Sequence, residues 1–428
     1  MAYSMNELPS DILLQILYRL PLNLIHRCKC VCKFWSSLIS QPCFAVEYLL
    51  RTKLTPPPNP TLYFRLYTPR NFKTSPPRHS TYDDRHKSWS QDSPALSFGF
   101  LPLPEPAIRL LCTSNGLALC TTSYDCECIY YVCNPITKQW LTLPPPPTCT
   151  NFALVGLVCY GHYFKVVRLV SPCTYTNAVT FMMTEIRTSF FNAETFDSRT
   201  NLWRVSAMIT IPRSILFCKP TNAIEYKGIL HWESGERDYT TSTIMAFDPN
   251  LEKCRLIQVL ETMPNHPGMY ATGVSRSGED LYHVHMQLDD NLSVNWRIWR
   301  LIEAEAEWCL EHTFRLTDLK LIVGDNCIRP SDLNSNLLAI DPIDPNVLYF
   351  HTRNNYTTRD RGIISLNIKT GRVESVYFPF HWPDPTASFS VYQYIMAIPF
   401  VPPSWPTSLP KIHHQDMKVF NIVPITSI

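Results

Sequence analysis

Few residues in this chain have both the type and the spacing to do chemistry. His283-Val284-His285 is the strongest metal candidate. Side chains two apart on a strand share a face, as two ligands to one ion must. The pair reads as two strand histidines and not as a metal site. Cys126-Glu127-Cys128 and the trio Cys28, Cys30 and Cys32 lack the Cys-x-x-Cys spacing and a matching second pair, and read as packing residues. Glu303, Glu305 and Glu307 alternate with alanine across an expected hairpin turn and fit a solvated turn. The chain has no Gly-x-Ser-x-Gly elbow, no His-Glu-x-x-His, no phosphate-cradling glycine loop and no Gly-x-Gly-x-x-Gly. The residues therefore predict no catalytic group, no metal and no cofactor.

Composition narrows the classes further. Lysine plus arginine number 38 and aspartate plus glutamate 36, a net charge of +2 over 428 residues. That balance supplies no basic excess for nucleic-acid binding. The longest apolar candidate, Phe152 to Tyr160, is far short of the ~18 residues of a membrane span and stops at Gly161-His162. Glu7 and Asp11 sit where a signal peptide would be apolar. An intracellular protein, in cytoplasm, nucleus or both, with no membrane association is expected, its 16 cysteines serving as small reduced apolar residues. Only 12 glycines accompany 37 prolines, which favours rigid turns over long helices.

Two kinds of element would position these residues. Residues 5–50 are helical in pattern. Ile12, Leu13, Ile16, Leu17 and Leu20 form one stripe at helical spacing, with Ser10 as the expected N-cap and Pro21 as the stop. Leu24, Cys28 and Val31 continue on a second helix, and Trp35, Leu38 and Ile39 on a third that runs to Pro42. Three helices this short cannot bury all of those side chains, so part of the apolar surface is left for a partner. Residues 51–94 hold Pro56-Pro57-Pro58-Asn59-Pro60 and then a polar stretch, which predicts a stiff linker and a mobile loop.

From residue 95 to 410 the pattern turns to short alternating runs, and 411–428 read as a tail. A strand, a turn and a returning strand recur. Asn134-Pro135 precedes Trp140, Asp197 precedes Trp203, Asp248-Pro249 precedes Cys254, Ile302 precedes Trp308 and Asn367 precedes Val373, always by six residues. Asp or Asn at the turn bonds its own backbone two residues on, proline presets φ, and the returning tryptophan is expected to pack into the sheet. Further apolar runs precede most hairpins, giving about four strands per unit at a period of 50 to 65 residues. The period predicts β-propeller blades, with a large irregular β-sandwich as the alternative. A sixth blade would combine Leu62–Leu66 or Ala95–Phe98 with Ser388–Val401 and close the ring from both chain ends.

The N-terminal segment resembles an F-box through Leu8-Pro9-Ser10-Asp11-Ile12-Leu13, Ile16 to Pro21, Cys30-Val31-Cys32-Lys33-Phe34-Trp35, Leu38-Ile39 and Pro42-Cys43-Phe44. Gln15 and Cys28 depart from common F-box choices. The remainder resembles the plant F-box-associated, kelch-related β-propeller through Ser114-Asn115-Gly116-Leu117, Tyr131 to Trp140, Leu143-Pro144 and Lys165-Val166-Val167-Arg168. It lacks the Gly-Gly pairs of true kelch repeats and any Trp-Asp dipeptide. The fold implied is α+β multidomain: a small three-helix F-box and then an all-β propeller of about six blades, five recognisable.

The function implied is the substrate-receptor subunit of an SCF-type ubiquitin ligase. It would dock on a Skp-type adaptor, and through that on a cullin-RING scaffold, without itself catalysing a reaction. Leu8 and Pro9 would seat the interface. Ile12, Leu13, Ile16, Leu17, Leu20 and Pro21 would fill the adaptor's apolar groove, with Leu24, Val31, Trp35 and Ile39 supporting. Loops joining second and third strands would hold the protein substrate with Tyr175, Arg187, Arg237, Tyr239, Asp289, Asp290, Arg353 and Tyr356, types suited to recognition. The alternatives are an F-box scaffold outside any cullin complex, and a propeller with glycan-binding or enzymatic activity.

Overall fold

The computed structural model describes residues 9–20, 22–41, 44, 47–48, 51, 61–67, 78–83, 88–90, 98–102, 108–121, 129–150, 153–161, 163–171, 186–217, 223–235, 242–258, 272–288, 294–302, 307–315, 322–323, 326–327, 336–352, 362–376, 394–401 and 409. Three short helices come first: α1 (Ser10–Leu17), α2 (Leu22–Cys28) and α3 (Lys33–Ile39). The expected N-cap shifts by one residue. Pro9 is the cap of α1, its carbonyl accepting from the amides of Ile12 and Leu13, and Ser10 is already helical. The Cys32 thiol caps α3 by accepting from the Trp35 amide at 3.5 Å. The helices share one core, formed by Leu13, Leu17, Ile25, Trp35 and Ile39 with Phe44 and Tyr48.

Everything after residue 60 is strand and turn among the described residues. Within 51–94, expected to be linker and loop, β1 (Thr61–Tyr67) covers the Leu62–Leu66 run offered to a sixth blade, and the polar stretch after it carries β2 (Arg78–Asp83) and β3 (Ser88–Ser90). The first complete meander is β4 (Arg109–Ser114), β5 (Leu117–Thr121), β6 (Tyr130–Asn134) and β7 (Gln139–Thr142). The next is β8 (Ala153–Cys159), β9 (Phe164–Val170), β10 (Ile186–Asp197) and β11 (Leu202–Phe217). After it come β12 (Ile224–Tyr226), β13 (Ile229–Gly235), β14 (Ser242–Asp248) and β15 (Lys253–Gln258). A single bridge, Leu216 to Gly235, joins these last two meanders into one sheet. Two more four-stranded sheets follow: β16 (Thr272–Ser277) to β19 (Glu307–Arg315) through β17 (Asp280–Leu288) and β18 (Val294–Ile302), and β22 (Asn336–Ile340) to β25 (Arg372–Val376) through β23 (Val347–Thr352) and β24 (Gly362–Asn367). A small ribbon, β20 (Ile322–Val323) with β21 (Asn326–Cys327), lies between them in sequence. The last strand, β26 (Tyr394–Phe400), pairs antiparallel with β1 from Thr61↔Phe400 to Tyr67↔Tyr394. It thereby completes a sixth four-stranded unit from the two ends of the chain, as the sequence predicts.

The innermost strands meet in cyclic order: β26 with β4, β4 with β8, β8 with β12, β12 with β16, β16 with β22, and β22 with β26. That closes a propeller of six blades. Apolar clusters fill the seams between blades. Leu117, Val132 and Leu141 of one blade meet Phe164, Val166 and Phe196 of the next. Trp232, Met245 and Phe247 meet Val167, Leu169 and Phe191. Trp296 and Ile298 meet Phe350, Ile364 and Leu366. Fully burying one such side chain contributes about 1.5–3 kcal/mol, so the seams carry much of the fold's stability. Gly156 on β8 marks the closest approach, since a Cβ there would come within 2.6 Å of the Leu230 side chain.

The repeating turns take the expected form. The side-chain oxygen of Asn134 accepts from the amides of Ile136 and Thr137, that of Asp197 from Arg199, that of Asp248 from Asn250 and Leu251, and that of Asn367 from Lys369 and Thr370. Four residues after each of them the backbone is left-handed, at Lys138, Asn201, Glu252 and Gly371. One expectation needs correction: Trp140 stands 42% exposed, edge-on to Tyr131, instead of packing into the sheet. Trp203 does pack, on Phe196, and its indole N–H donates to the Pro144 carbonyl at 2.8 Å.

Candidate partner-docking faces

The helical core decides which stripe residues remain available. On α1, Leu13 and Leu17 point inward and are sealed, whereas Ile12 and Ile16, four residues apart on one face, stay 49% and 42% exposed. Leu24 on α2 and Val31 in the turn before α3 are also exposed. Trp35 and Ile39 are buried and Leu20 is half-buried against the same core, so Leu13, Leu17, Trp35 and Ile39 hold the helices together instead of lining a surface. Pro9 is exposed at the start of α1. Leu8 and Pro21 lie outside the described residues. Phe34, exposed at 47%, joins the outward apolar set. Its place on α3 next to the inward Trp35, about 100° away round the helix, is the signal that could have singled it out.

Residues after α3 lock this arrangement. Phe44 stacks on Tyr18 at 5.0 Å, and the Tyr48 hydroxyl donates to the Leu20 carbonyl at 3.0 Å. Arg51 lies 4.7 Å over the Tyr18 ring, pairs with Glu47 at 2.6 Å and donates to the Gln15 side-chain oxygen at 3.2 Å. Gln15 thus has a structural role on the side of α1 that faces this segment. Arg19, Arg27 and Lys33 are exposed around the apolar residues, and partial burial lowers the Lys29 pKa. The helices therefore present apolar side chains in a basic setting, which suits an apolar groove with an acidic rim.

On the propeller, the turns joining first to second and third to fourth strands share one end of the ring, and second strands finish and third strands begin at the other. Tyr175, Arg237, Tyr239, Asp289, Asp290, Arg353 and Tyr356 come between second and third strands in sequence and lie outside the described residues. Arg187 falls on β10, paired with Leu216, and not in the loop expected for it. Of the other chemistry-bearing residues, His283 and His285 are buried on β17, and the His283 ring meets Trp308 edge-on at 5.8 Å. Burial, with the neighbouring His285 adding to it, pulls the His283 pKa down to about 3. Among the described residues no group of three or more His, Cys, Asp or Glu is placed to hold a metal ion. Glu307 is exposed at the start of β19, while Glu303, Glu305, Cys126 and Cys128 lie outside the described residues. No helix among the described residues is long and apolar enough to cross a membrane.

Comparison with known proteins agrees with both halves of this geometry. The F-box domain model matches residues 5–47, and the model described as F-box protein At3g26010-like, beta-propeller, matches residues 92–411. The chain belongs to the At3g26010-like F-box propeller family. Three relatives from Arabidopsis thaliana are similar to this F-box protein. F-box protein At5g07610 is 24% identical, covering 72% of this chain and 70% of its own. F-box protein At5g49610 is 26% identical, covering 74% and 81%. F-box/kelch-repeat protein At3g61590 is 35% identical over a shorter stretch, 34% of this chain and 31% of its own. F-box propeller proteins are generally receptors that join a substrate to an adaptor, and generally non-catalytic.

Proposed function

We propose that this F-box propeller protein is the substrate-receptor subunit of an SCF-type ubiquitin ligase. The observation that carries the reading is the division of the helical stripe: Leu13, Leu17, Trp35 and Ile39 close the helices' own core, while Ile12, Ile16, Leu24, Val31 and Phe34 remain outside it. A self-contained unit with unspent apolar surface is suited to bind a second polypeptide. Leu8, Pro9 and Pro21 would border that contact with a Skp-type adaptor, and the adaptor would connect to the cullin-RING scaffold. The protein itself forms and breaks no bond. It raises the effective concentration of substrate lysines near the conjugating enzyme, inside the cell in cytoplasm or nucleus. The connections holding Tyr175, Arg237, Tyr239, Asp289, Asp290, Arg353 and Tyr356, with Arg187 at the margin of one, are the proposed substrate face.

The test is co-purification and calorimetric titration of the full chain with a Skp-type adaptor, beside an Ile12→Asp/Ile16→Asp variant. Tight binding by the wild type, lost in a variant that melts at the same temperature, is the expected result. A wild-type chain that folds but leaves the adaptor free ends the proposal. Adaptor binding without ubiquitin transfer to any bound protein in a reconstituted complex would favour a scaffold role.

A further inference from the structure

One surface of the propeller is unused by this reading. β11 is the outermost strand of its blade. Apart from the bridge at Leu216 its outer edge has no strand partner among the described residues, so a run of backbone N–H and C=O groups from 202 to about 210 faces outward. Three apolar side chains along that run are exposed: Leu202 at 67%, Val205 at 50% and Met208 at 60%. Proteins usually blunt such an edge with charge, proline or a covering element. Here the edge borders a groove of about 340 Å³ whose opposite wall is the start of β15, itself the outer strand of the next blade. Ile209 and Cys254 form the floor, half-buried against the core of that seam. Lys253 and Arg255 are exposed on the β15 side and Arg204 on the β11 side, against one carboxylate, Glu252, which lies 3.8 Å from Arg204.

We infer that this groove is a docking slot for an extended segment of a protein partner. The segment adds a strand to β11, sets its alternate apolar side chains on the face of Val205 and Met208, and turns its carboxylates to the opposite face, where Arg204 and Lys253 form the basic rim. Strand addition explains an open edge with exposed apolar residues, since main-chain bonds supply affinity and alternate side chains supply selectivity. The excess of Arg204, Lys253 and Arg255 over Glu252 selects an acidic segment. The slot's volume admits only a few side chains of one chain. A second copy of this propeller would bring its own β15 wall and its own Arg204 and Lys253 against these. The inference stands independently of adaptor binding by the helices.

The full chain is titrated with a synthetic peptide of about eight residues alternating valine and glutamate, the length of a typical strand. Fluorescence anisotropy reads binding, and amide hydrogen exchange reads protection of 202–210. Two further peptides serve as controls, one with lysine in place of glutamate and one N-methylated at alternate residues, which removes strand-pairing N–H groups. Saturable binding of the glutamate peptide with slowed exchange over 202–210 is expected, weakened roughly tenfold by Arg204→Glu/Lys253→Glu and lost in Met208→Asp. Three results overturn the inference: no slowing over 202–210, equal binding of the N-methylated or lysine peptide, or a concentration-dependent dimer in sedimentation that Met208→Asp abolishes, which would assign the edge to a second copy.

Discussion

Ile16 and Leu17 are neighbours in sequence and lie on different faces of α1, about 100° apart: one is 42% exposed, the other wholly buried. Their substitutions should separate binding from folding. Ile16→Asp is expected to weaken adaptor binding by about 2 kcal/mol or more if Ile16 is a contact hot spot, with the melting temperature unchanged. Leu17→Ala is expected to destabilise the helical unit by about 2–5 kcal/mol. Calorimetry of binding and of unfolding on the two variants reads both effects, and equal loss of stability in each would contradict the division. The stripe itself is legible in the sequence, because the 3.6-residue period is strong. Which edge of the stripe turns inward is not, since that depends on Phe44 and Tyr48 arriving from beyond α3. A second residue-scale effect concerns His283. Its imidazole protonates near the ordinary 6.5 in an unfolded chain but only near 3 in the fold. Its contribution is therefore intact well above pH 6.5 and is lost progressively on acidification, by about 1.4 kcal/mol at pH 5.5. Urea unfolding at pH 7.5 and 5.5 should show that loss in the wild type and a smaller one in His283→Phe.

At the scale of elements, the hairpins were readable because a local interaction builds them. Asn134, Asp197, Asp248 and Asn367 each fix their turn through their own side-chain oxygen, a chemistry contained within three residues. The left-handed position that follows is filled by lysine, asparagine, glutamate and glycine in the four turns, so a single exchange tests its cost. Lys138→Gly should stabilise by up to about 1 kcal/mol and Gly371→Lys should destabilise by a similar amount, as L side chains pay a penalty at positive φ that glycine avoids. Denaturant midpoints of the two variants moving in the same direction would contradict this. Where no local chemistry marks an element, the sequence is silent. β2 and β3 are short, polar and read as loop, yet they pair onto β1, whose other edge takes β26 from the far end of the chain. Arg187 is misplaced for a related reason, since β10 begins one residue earlier, at Ile186.

For the whole molecule, closure rests on that one long-range pairing. β26 is both a partner of β1 and the inner strand that touches β4 and β22, and its Ile398 and Phe400 enter the core of the adjoining seam. A chain stopped before Tyr394 loses all three contacts. It should show a broadened, low-temperature unfolding transition for the propeller in scanning calorimetry while its helices still bind the adaptor. A sharp transition at the wild-type temperature would show the ring holds without its clasp. Six blades could be proposed from period alone, but which strands close them is a property of the folded ring. The same pairing has a consequence on the ribosome. At roughly 5–20 residues per second, β26 emerges tens of seconds after β1, because about 330 residues separate their starts. The helices leave the exit tunnel before the propeller, so under the proposed function a nascent chain would be competent to recruit an adaptor before its propeller is complete, and a prematurely terminated product would occupy adaptor without a finished receptor to present.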